Sequence, residues 1–429
     1  MSEYTRVLRH RNFRYLFMGQ AASAIGDGVV LVAIALYVTE TTGSAGDLGL
    51  VLAAQSLTLV TLLLFGGVWA DRLPRQRVMI ATDLIRATLH ALLAVLILTG
   101  RAAVWQLVAI EACYGAAQAF FQPAYTGLVP QTVPEELNLD ARALTEWVAN
   151  LASLLGPALA TALVLGVGAG EAFAFDSATF VFSALMLARV HPRRRGREKR
   201  AESIARELRA GWREVRARAW VWVTIGAYAI ALLCMYAQWY ALAPGIARAH
   251  YGGAGVFGVL ETVAGIGAVT AALVSLRWRP SHPLATGLVL CLIWPVECGA
   301  FALGAPLALV IPCSFGTGWG FALMIIWWET ALARHIPPHV LSRVSAYDWM
   351  GSLALLPLGY ALAGPLAEAF GAQTVLGVGS LLGLGALVVA LLPRSTRKLT
   401  ERPPTREELR AEQHLAPLAG RPETWSAAR

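Results

Sequence analysis

Long apolar segments alternate with short polar loops along most of the chain. Many of these segments run for about twenty residues almost without charge, which is the length that an α-helix needs to cross a bilayer. Backbone N–H and C=O groups in hydrocarbon must be paired within their own segment, so such runs predict helices. The alternating polarity of outer-membrane strands, about 10 residues long, is absent from the sequence. We predict twelve spans, at residues 13–38, 48–70, 78–99, 103–127, 144–168, 172–190, 219–243, 254–276, 284–303, 306–328, 347–368 and 373–392.

The arginines between these spans predict the orientation of the chain. Cytoplasmic loops of membrane proteins carry an excess of Lys and Arg. The segment before the first span holds Arg6, Arg9, Arg11 and Arg14. Alternate loops or their margins hold Arg72, Arg75, Arg77, Arg142, Arg277, Arg279, Arg334 and Arg343, whereas the opposite loops hold only Arg101 and Arg248. The sequence therefore predicts a multi-pass protein of the plasma (inner) membrane with both termini in the cytoplasm.

A basic segment at residues 191–218 divides the spans into two sets of six, at residues 1–190 and 219–392. Its later part places apolar residues three or four apart, which is typical of an amphipathic helix lying on the inner membrane surface. An ordinary solvated linker is the alternative. Residues 393–429 are polar, and we expect a mostly disordered cytoplasmic tail. The predicted fold class is an all-α membrane protein with 12 transmembrane helices in two six-helix bundles.

Composition agrees with a membrane protein and excludes several functions. Hydrophobic residues make up 57% of the chain and charged residues 14%, against about 25% charged residues in soluble domains. The net charge of +8 comes from short loops, so we do not interpret it as nucleic-acid binding. The five cysteines lie in apolar segments without a CxxC pair, so neither a metal site nor a disulfide is expected. Because no Walker A or hydrolase motif occurs, we predict neither an enzyme nor a cofactor.

The loop at residues 67–77 is the most specific motif in the chain. It resembles the G-x-x-x-D-R-x-x-R-x-R loop that joins the second and third helices of major facilitator superfamily transporters. The matching residues are Gly67, Asp71, Arg72, Arg75 and Arg77. The resemblance implies a secondary transporter in which this loop stabilises the outward-open state, with Asp71 as a latch. Topogenic anchoring is the alternative role of the charges. Pro74 stands where the family usually has glycine.

Further segments resemble the subgroup of this superfamily that contains macrolide-efflux and enterobactin-exporter-like proteins. They include residues 11–16, the Gly26-Asp27 pair and residues 83–86. Gly156-Pro157 resembles the core of the antiporter motif and predicts a kinked, close helix crossing. The R-x-x-Q-G motif of proton-coupled drug exporters is replaced by residues 111–115, where glutamate occupies the arginine position.

Ionisable residues inside the predicted spans are the candidates for substrate or proton binding, because an unpaired charge in a membrane costs several kcal/mol. Asp27 is the first candidate; a structural hydrogen-bond anchor is its alternative role. Asp83 and Arg86 are three residues apart on one helix face and predict a structural pair. The other candidates for the cavity are Glu111, Tyr114, Gln118, Gln122, Glu261 and Glu297.

These features predict proton-coupled efflux of a small amphipathic organic compound, such as a drug, siderophore or other secondary metabolite, by alternating access. The expected partners are the small-molecule substrate, protons and the lipid bilayer. A lipid or lysophospholipid transporter or flippase is one alternative, for which the amphipathic linker is the hint. A non-transporting sensor or scaffold is another; unlike a transporter, it would tolerate neutralisation of Asp27 and Glu111.

Overall fold

The computed structural model describes residues 2–193 and 204–400, and every regular element in these ranges is a helix. The helices are α1 (Ser2–Arg9), α2 (Arg11–Thr42), α3 (Ala45–Arg72), α4 (Arg75–Leu98), α5 (Val104–Leu128), α6 (Asn138–Gly166), α7 (Ala169–Ala188), α8 (Ile204–Ala217), α9 (Ala219–Ala231), α10 (Ala237–His250), α11 (Gly255–Ser275), α12 (Pro283–Leu290), α13 (Ile293–Ala302), α14 (Leu307–His335), α15 (Pro338–Leu353), α16 (Leu356–Phe370), α17 (Ala372–Ala390) and α18 (Arg394–Arg397). A π-helical turn, Leu232–Tyr236, joins α9 to α10.

Ten segments of the described chain are long and apolar enough to cross a membrane, with mean hydropathy between 1.4 and 2.0. They match ten of the twelve predicted spans. The fourth and fifth predicted spans fall on α5 and α6, which have 25 and 29 residues but are not among the ten. Helix α5 carries Glu111 and three glutamines, which lower its hydropathy. In α6, the apolar segment is the shorter stretch Leu155–Gly166.

The N-terminal helices α2–α7 pack on one another in pairs, and glycines allow two of them to cross closely. Helix α3 packs mainly on α5, α4 on α7 and α5, and α2 on α6 and α7. Although α3 and α4 are joined by Leu73 and Pro74 alone, each makes its principal contacts with other helices. Where α2 crosses α6, a Cβ atom on Gly156 would lie 2.4 Å from the Cα of Gly28. The close crossing predicted at Gly156 is therefore present, and Pro157 lies next to it inside α6.

Among the described residues, helices from before and after the linker make close contacts where α2 ends and α3 begins. A Cβ atom on Gly364 of α16 would lie 2.3 Å from the Cα of Gly46 on α3. Arg248 of α10 donates from Nη1 to the carbonyl oxygen of Thr39 over 2.7 Å. The C-terminal part of α6 meets the start of α11 on the same side. These contacts close this end of the molecule, which the predicted topology places outside the cell.

Part of the predicted linker helix is present as α8, which packs on α15. A Cβ atom on Gly211 would lie 2.8 Å from the Cβ of Arg343, and the rings of Trp212 and Tyr347 are 5.6 Å apart. Docking on the membrane surface stays a prediction. The rest of the predicted linker, at 194–203, and most of the predicted tail, at 401–429, lie outside the described residues.

Candidate functional site

Ionisable side chains from four helices meet inside the N-terminal half and form what we call the buried network. Its members are Asp27 of α2; Asp83, Arg86 and His90 of α4; Glu111 and Tyr114 of α5; and Asp176 of α7. The three residues of α4 recur at intervals of three and four, which places them on one helix face. All members except Asp27 are at most 2% exposed, whereas the Asp27 side chain is 33% exposed. Asp27 is thus the member of the network nearest to accessible space.

Arg86 holds two of the carboxylates. Its Nη2 donates to Asp83 Oδ1 over 2.5 Å, and its Nη1 lies 3.6 Å from Asp27 Oδ1. The guanidinium carbon is 4.2 Å and 4.1 Å from the ring centroids of Phe121 and Phe180, so cation–π contacts also hold the charge in place. The expected contact between Asp83 and Arg86 is present, and Arg86 also extends it to Asp27.

His90 connects a second pair of carboxylates. Its Nδ1 is 2.5 Å from Asp176 Oδ2, and its Nε2 is 3.5 Å from Glu111 Oε1. The imidazole stacks on the Tyr114 ring with centroids 4.4 Å apart and planes 5° apart. The Tyr114 hydroxyl donates to Asp27. Tyr114 thus contacts both His90 and Asp27, and it joins the residues around His90 to those around Arg86.

Gly26 of α2 borders the network beside Asp176. A Cβ atom on Gly26 would lie 2.2 Å from Asp176 Oδ1 and 2.3 Å from the hydroxyl of Thr179. Only a residue without a side chain lets α2 approach α7 this closely. The Gly26-Asp27 pair therefore has two roles: the glycine makes room for Asp176, and the aspartate carries a carboxylate to Arg86.

Three of the residues predicted to bind substrate or protons, Asp27, Glu111 and Tyr114, come together here with the predicted pair Asp83 and Arg86. Two other predicted residues of α5 do not join them: Gln118 is half-buried and Gln122 is exposed. Neither glutamine side chain hydrogen bonds to the network within the part of the chain that the structure describes. The cavity role predicted for Gln118 and Gln122 stays a prediction.

Sequence reasoning missed His90 and Asp176. Each is an ionisable residue within a predicted span, and that signal would have found both. Their pairing could not be found in this way, because the two residues are 86 positions apart in the sequence.

The predicted carboxylates of the C-terminal half have partners of their own. Glu261 of α11 accepts hydrogen bonds from Trp239 Nε1 over 2.7 Å and from the Tyr240 hydroxyl over 2.5 Å. Glu297 of α13 accepts a hydrogen bond from Ser314 of α14. Both carboxylates are thus held by neutral donors, whereas those of the N-terminal network face cations.

The charged loop is only partly described. The side chains of Asp71 and Arg72 and the surroundings of Gly67 lie outside the described part of the structure, so the latch stays a prediction. Arg75 donates from Nη1 to the carbonyl oxygen of Gly127 over 2.7 Å, which connects the start of α4 to the end of α5. The Arg77 side chain is exposed.

Comparison with known proteins gives relatives that export small molecules. The chain is 28% identical to the multidrug efflux pump Tap of Mycolicibacterium fortuitum over 393 residues, which cover 88% of this chain and 95% of Tap. It is 30% identical to macrolide efflux protein A of Streptococcus pyogenes over 154 residues, which cover 35% of this chain and 37% of that protein. The match to the macrolide efflux protein thus spans little more than a third of its length.

The fold is that of solved transporters. The nucleoside transporter NupG superposes with a TM-score of 0.66 at 12% sequence identity, covering 89% of this chain and 99% of NupG. The sequence pattern of the transmembrane secretion effector family matches residues 3–290. The chain is therefore a multi-pass membrane transporter, not an enzyme, and it belongs to the transmembrane secretion effector family of the major facilitator superfamily.

Proposed function

We propose that this transporter is a proton-coupled exporter of small amphipathic organic compounds and works by alternating access. In this proposal twelve helices cross the plasma membrane as two six-helix bundles, at residues 1–190 and 219–392, with both termini in the cytoplasm. The helix contacts at the predicted outer end correspond to the inward-facing state, in which cargo would enter from the cytoplasm or inner leaflet.

The buried network is the observation that carries proton coupling. Four carboxyl groups face one guanidinium and one imidazole. With all four carboxyl groups, Arg86 and His90 ionised, the network carries a net charge of −2. Burying uncompensated charge is costly, so a network of this composition favours bound protons. Glu111 Oε2 and Asp176 Oδ1 are buried and have no hydrogen-bond partner among the residues that the structure describes, and a proton on either carboxyl group would reduce the negative charge.

Asp27 provides the link between protons and cargo. It is the partly exposed member of the network, and it touches both Arg86 and Tyr114. A cargo that displaces Arg86 or Tyr114 from Asp27 would change the charge balance around His90. Binding of the cargo and release of a proton would then be linked through shared electrostatics. The exporters among the relatives support the outward direction, and the multidrug and macrolide efflux proteins among them support drugs and other small organic molecules as cargo.

Efflux from cells tests this proposal. The chain is expressed in a host lacking its own drug pumps, and efflux of ethidium, erythromycin and tetracycline is followed with and without a protonophore. We expect export of at least one compound that the protonophore abolishes. His90→Gln and Glu111→Gln each remove a titratable group of the network, and we expect each to reduce efflux by about tenfold or more. Glu171→Gln is the matched control, because Glu171 is exposed at the start of α7.

Three results would contradict the proposed function in different ways. Efflux that continues at the wild-type rate in the protonophore would remove proton coupling. Wild-type, proton-driven efflux in the double variant Asp27→Asn with Glu111→Gln would remove the network from coupling. Transport of a labelled phospholipid without export of any compound of the panel would replace this proposal with lipid transport.

A further inference from the structure

The C-terminal half contains a cavity of about 180 Å³ between α9, α14 and α15. Aromatic side chains form much of its wall, and two carboxyl groups line it, those of the exposed Glu329 on α14 and of Asp348 on α15. The residues that carry the argument are Tyr228 of α9, Phe321 and Trp328 of α14, and Asp348 and Trp349 of α15. None of them belongs to the buried network.

Asp348 is held in position by neutral donors. Trp328 Nε1 donates to Asp348 Oδ2 over 2.7 Å, and the Ser352 hydroxyl lies 3.5 Å from Asp348 Oδ1. Among the residues that the structure describes, no Lys, Arg or His forms an ion pair with this carboxylate. Asp348 therefore presents a carboxylate to an aromatic cavity, and within residues 2–193 and 204–400 no described cation neutralises it.

We propose that this cavity binds a monovalent organic cation with an aromatic or apolar body. The faces of Trp, Tyr and Phe rings attract cations, Trp most strongly, and a desolvated contact contributes about 2 kcal/mol. The carboxylate adds charge attraction and repels anions of the same size. This inference rests on the proposed function and deepens it, because it names a cargo class and the place where the cargo binds.

The position of the cavity suits a site of entry. Helices α9 and α10 form one continuous span, Ala219–His250. The cavity uses its first part, around Thr224 and Tyr228, whereas Arg248 near its other end belongs to the closed contacts. The cavity thus lies toward the predicted cytoplasmic end of the span. The Trp349 side chain is 56% exposed, so a ligand arriving from that side meets an aromatic surface next to Asp348.

Binding to the purified full-length protein tests the inference without any gradient. Tritiated phenyltrimethylammonium is the probe, its binding is measured by equilibrium dialysis in detergent, and benzenesulfonate is the anionic competitor of similar size. We expect saturable binding of the cation, no competition by benzenesulfonate, and about tenfold weaker binding by Asp348→Asn. Glu368→Gln is the matched control, because it neutralises an exposed carboxylate near the far end of α16 and should bind like the wild type.

A second variant covers the case in which Asp348→Asn does not fold. Trp349→Ala removes a largely exposed ring and leaves the carboxylate in place, and we expect about fivefold weaker binding. Absence of saturable cation binding by the wild type, or wild-type affinity in either folded variant, would overturn the inference. Efflux that resists the protonophore would contradict the proposed proton coupling but would not affect the binding measurement. Failure of the proposed function and failure of this inference are therefore distinguishable.

Discussion

Replacing Arg86 with methionine is expected to cause the largest loss of stability of any substitution in the buried network. The change leaves Asp83, which is 0% exposed, without its cation at 2.5 Å, and it also removes the cation from Asp27. Breaking a buried ion pair by removing one partner costs about 3–5 kcal/mol. Contacts between the guanidinium and the rings of Phe121 and Phe180 are lost as well. Thermal unfolding in detergent, followed by loss of the monodisperse peak in size-exclusion chromatography, measures the effect.

Two controls separate the charge from the side-chain volume. Arg77→Met makes the same chemical change at an exposed position of α4 and should unfold at the wild-type temperature. The double variant Arg86→Met with Asp83→Asn no longer buries an ionised Asp83, so it should recover part of the lost stability. If Arg86→Met unfolds at the same temperature as Arg77→Met, the guanidinium does not hold the network together.

The second large effect is expected at the crossing of α2 and α6. A Cβ atom on Gly156 would lie 2.4 Å from Cα, 2.5 Å from the carbonyl carbon and 2.7 Å from the carbonyl oxygen of Gly28. These are backbone atoms, so no rotamer change relieves the overlap, and the two helices must separate. Overpacking of this kind costs about 1–3 kcal/mol and occasionally more. We therefore expect Gly156→Val to give little monodisperse protein and a clearly lowered unfolding temperature.

Gly166→Val provides the matched control on the same helix. A Cβ atom on Gly166, the last residue of α6, would meet no described atom within 4 Å, so this variant makes the same substitution without the clash. It should purify like the wild type. Equal behaviour of the two valine variants would show that the close crossing contributes little to the fold.

Much of this fold follows from the sequence, because the bilayer requires long apolar segments whatever their neighbours. The predicted spans fall on the observed helices to within a few residues at many of their ends, and Gly156 lies at a close crossing as its motif indicates. The difference in hydropathy between α5 and most of the other spans also has a physical cause. Polar residues lower the hydropathy of α5, the helix that carries Glu111 and Tyr114, below that of the ten most apolar segments.

The candidate site was less predictable, because it depends on how each helix is rotated about its axis. The spacing of Asp83 and Arg86 predicts a contact within one helix, and that contact is present. The contact of His90 with Asp176 joins α4 to α7, and the sequence does not contain the rotation that brings the two residues together. For the same reason, the sequence does not distinguish Tyr114, which joins the network, from Gln122, which is exposed one helix face away.

Substrate-driven proton movement in proteoliposomes tests the central claim most directly. The purified protein is reconstituted into vesicles with an acidic lumen containing the pH dye pyranine, and ethidium is added outside. Ethidium carries a permanent charge and cannot carry a proton across the membrane by itself. The account predicts that ethidium accumulates while the lumen becomes less acidic, and that the double variant His90→Gln with Glu111→Gln shows neither change. Ethidium uptake by the wild-type protein without any change of the lumenal pH would contradict this account.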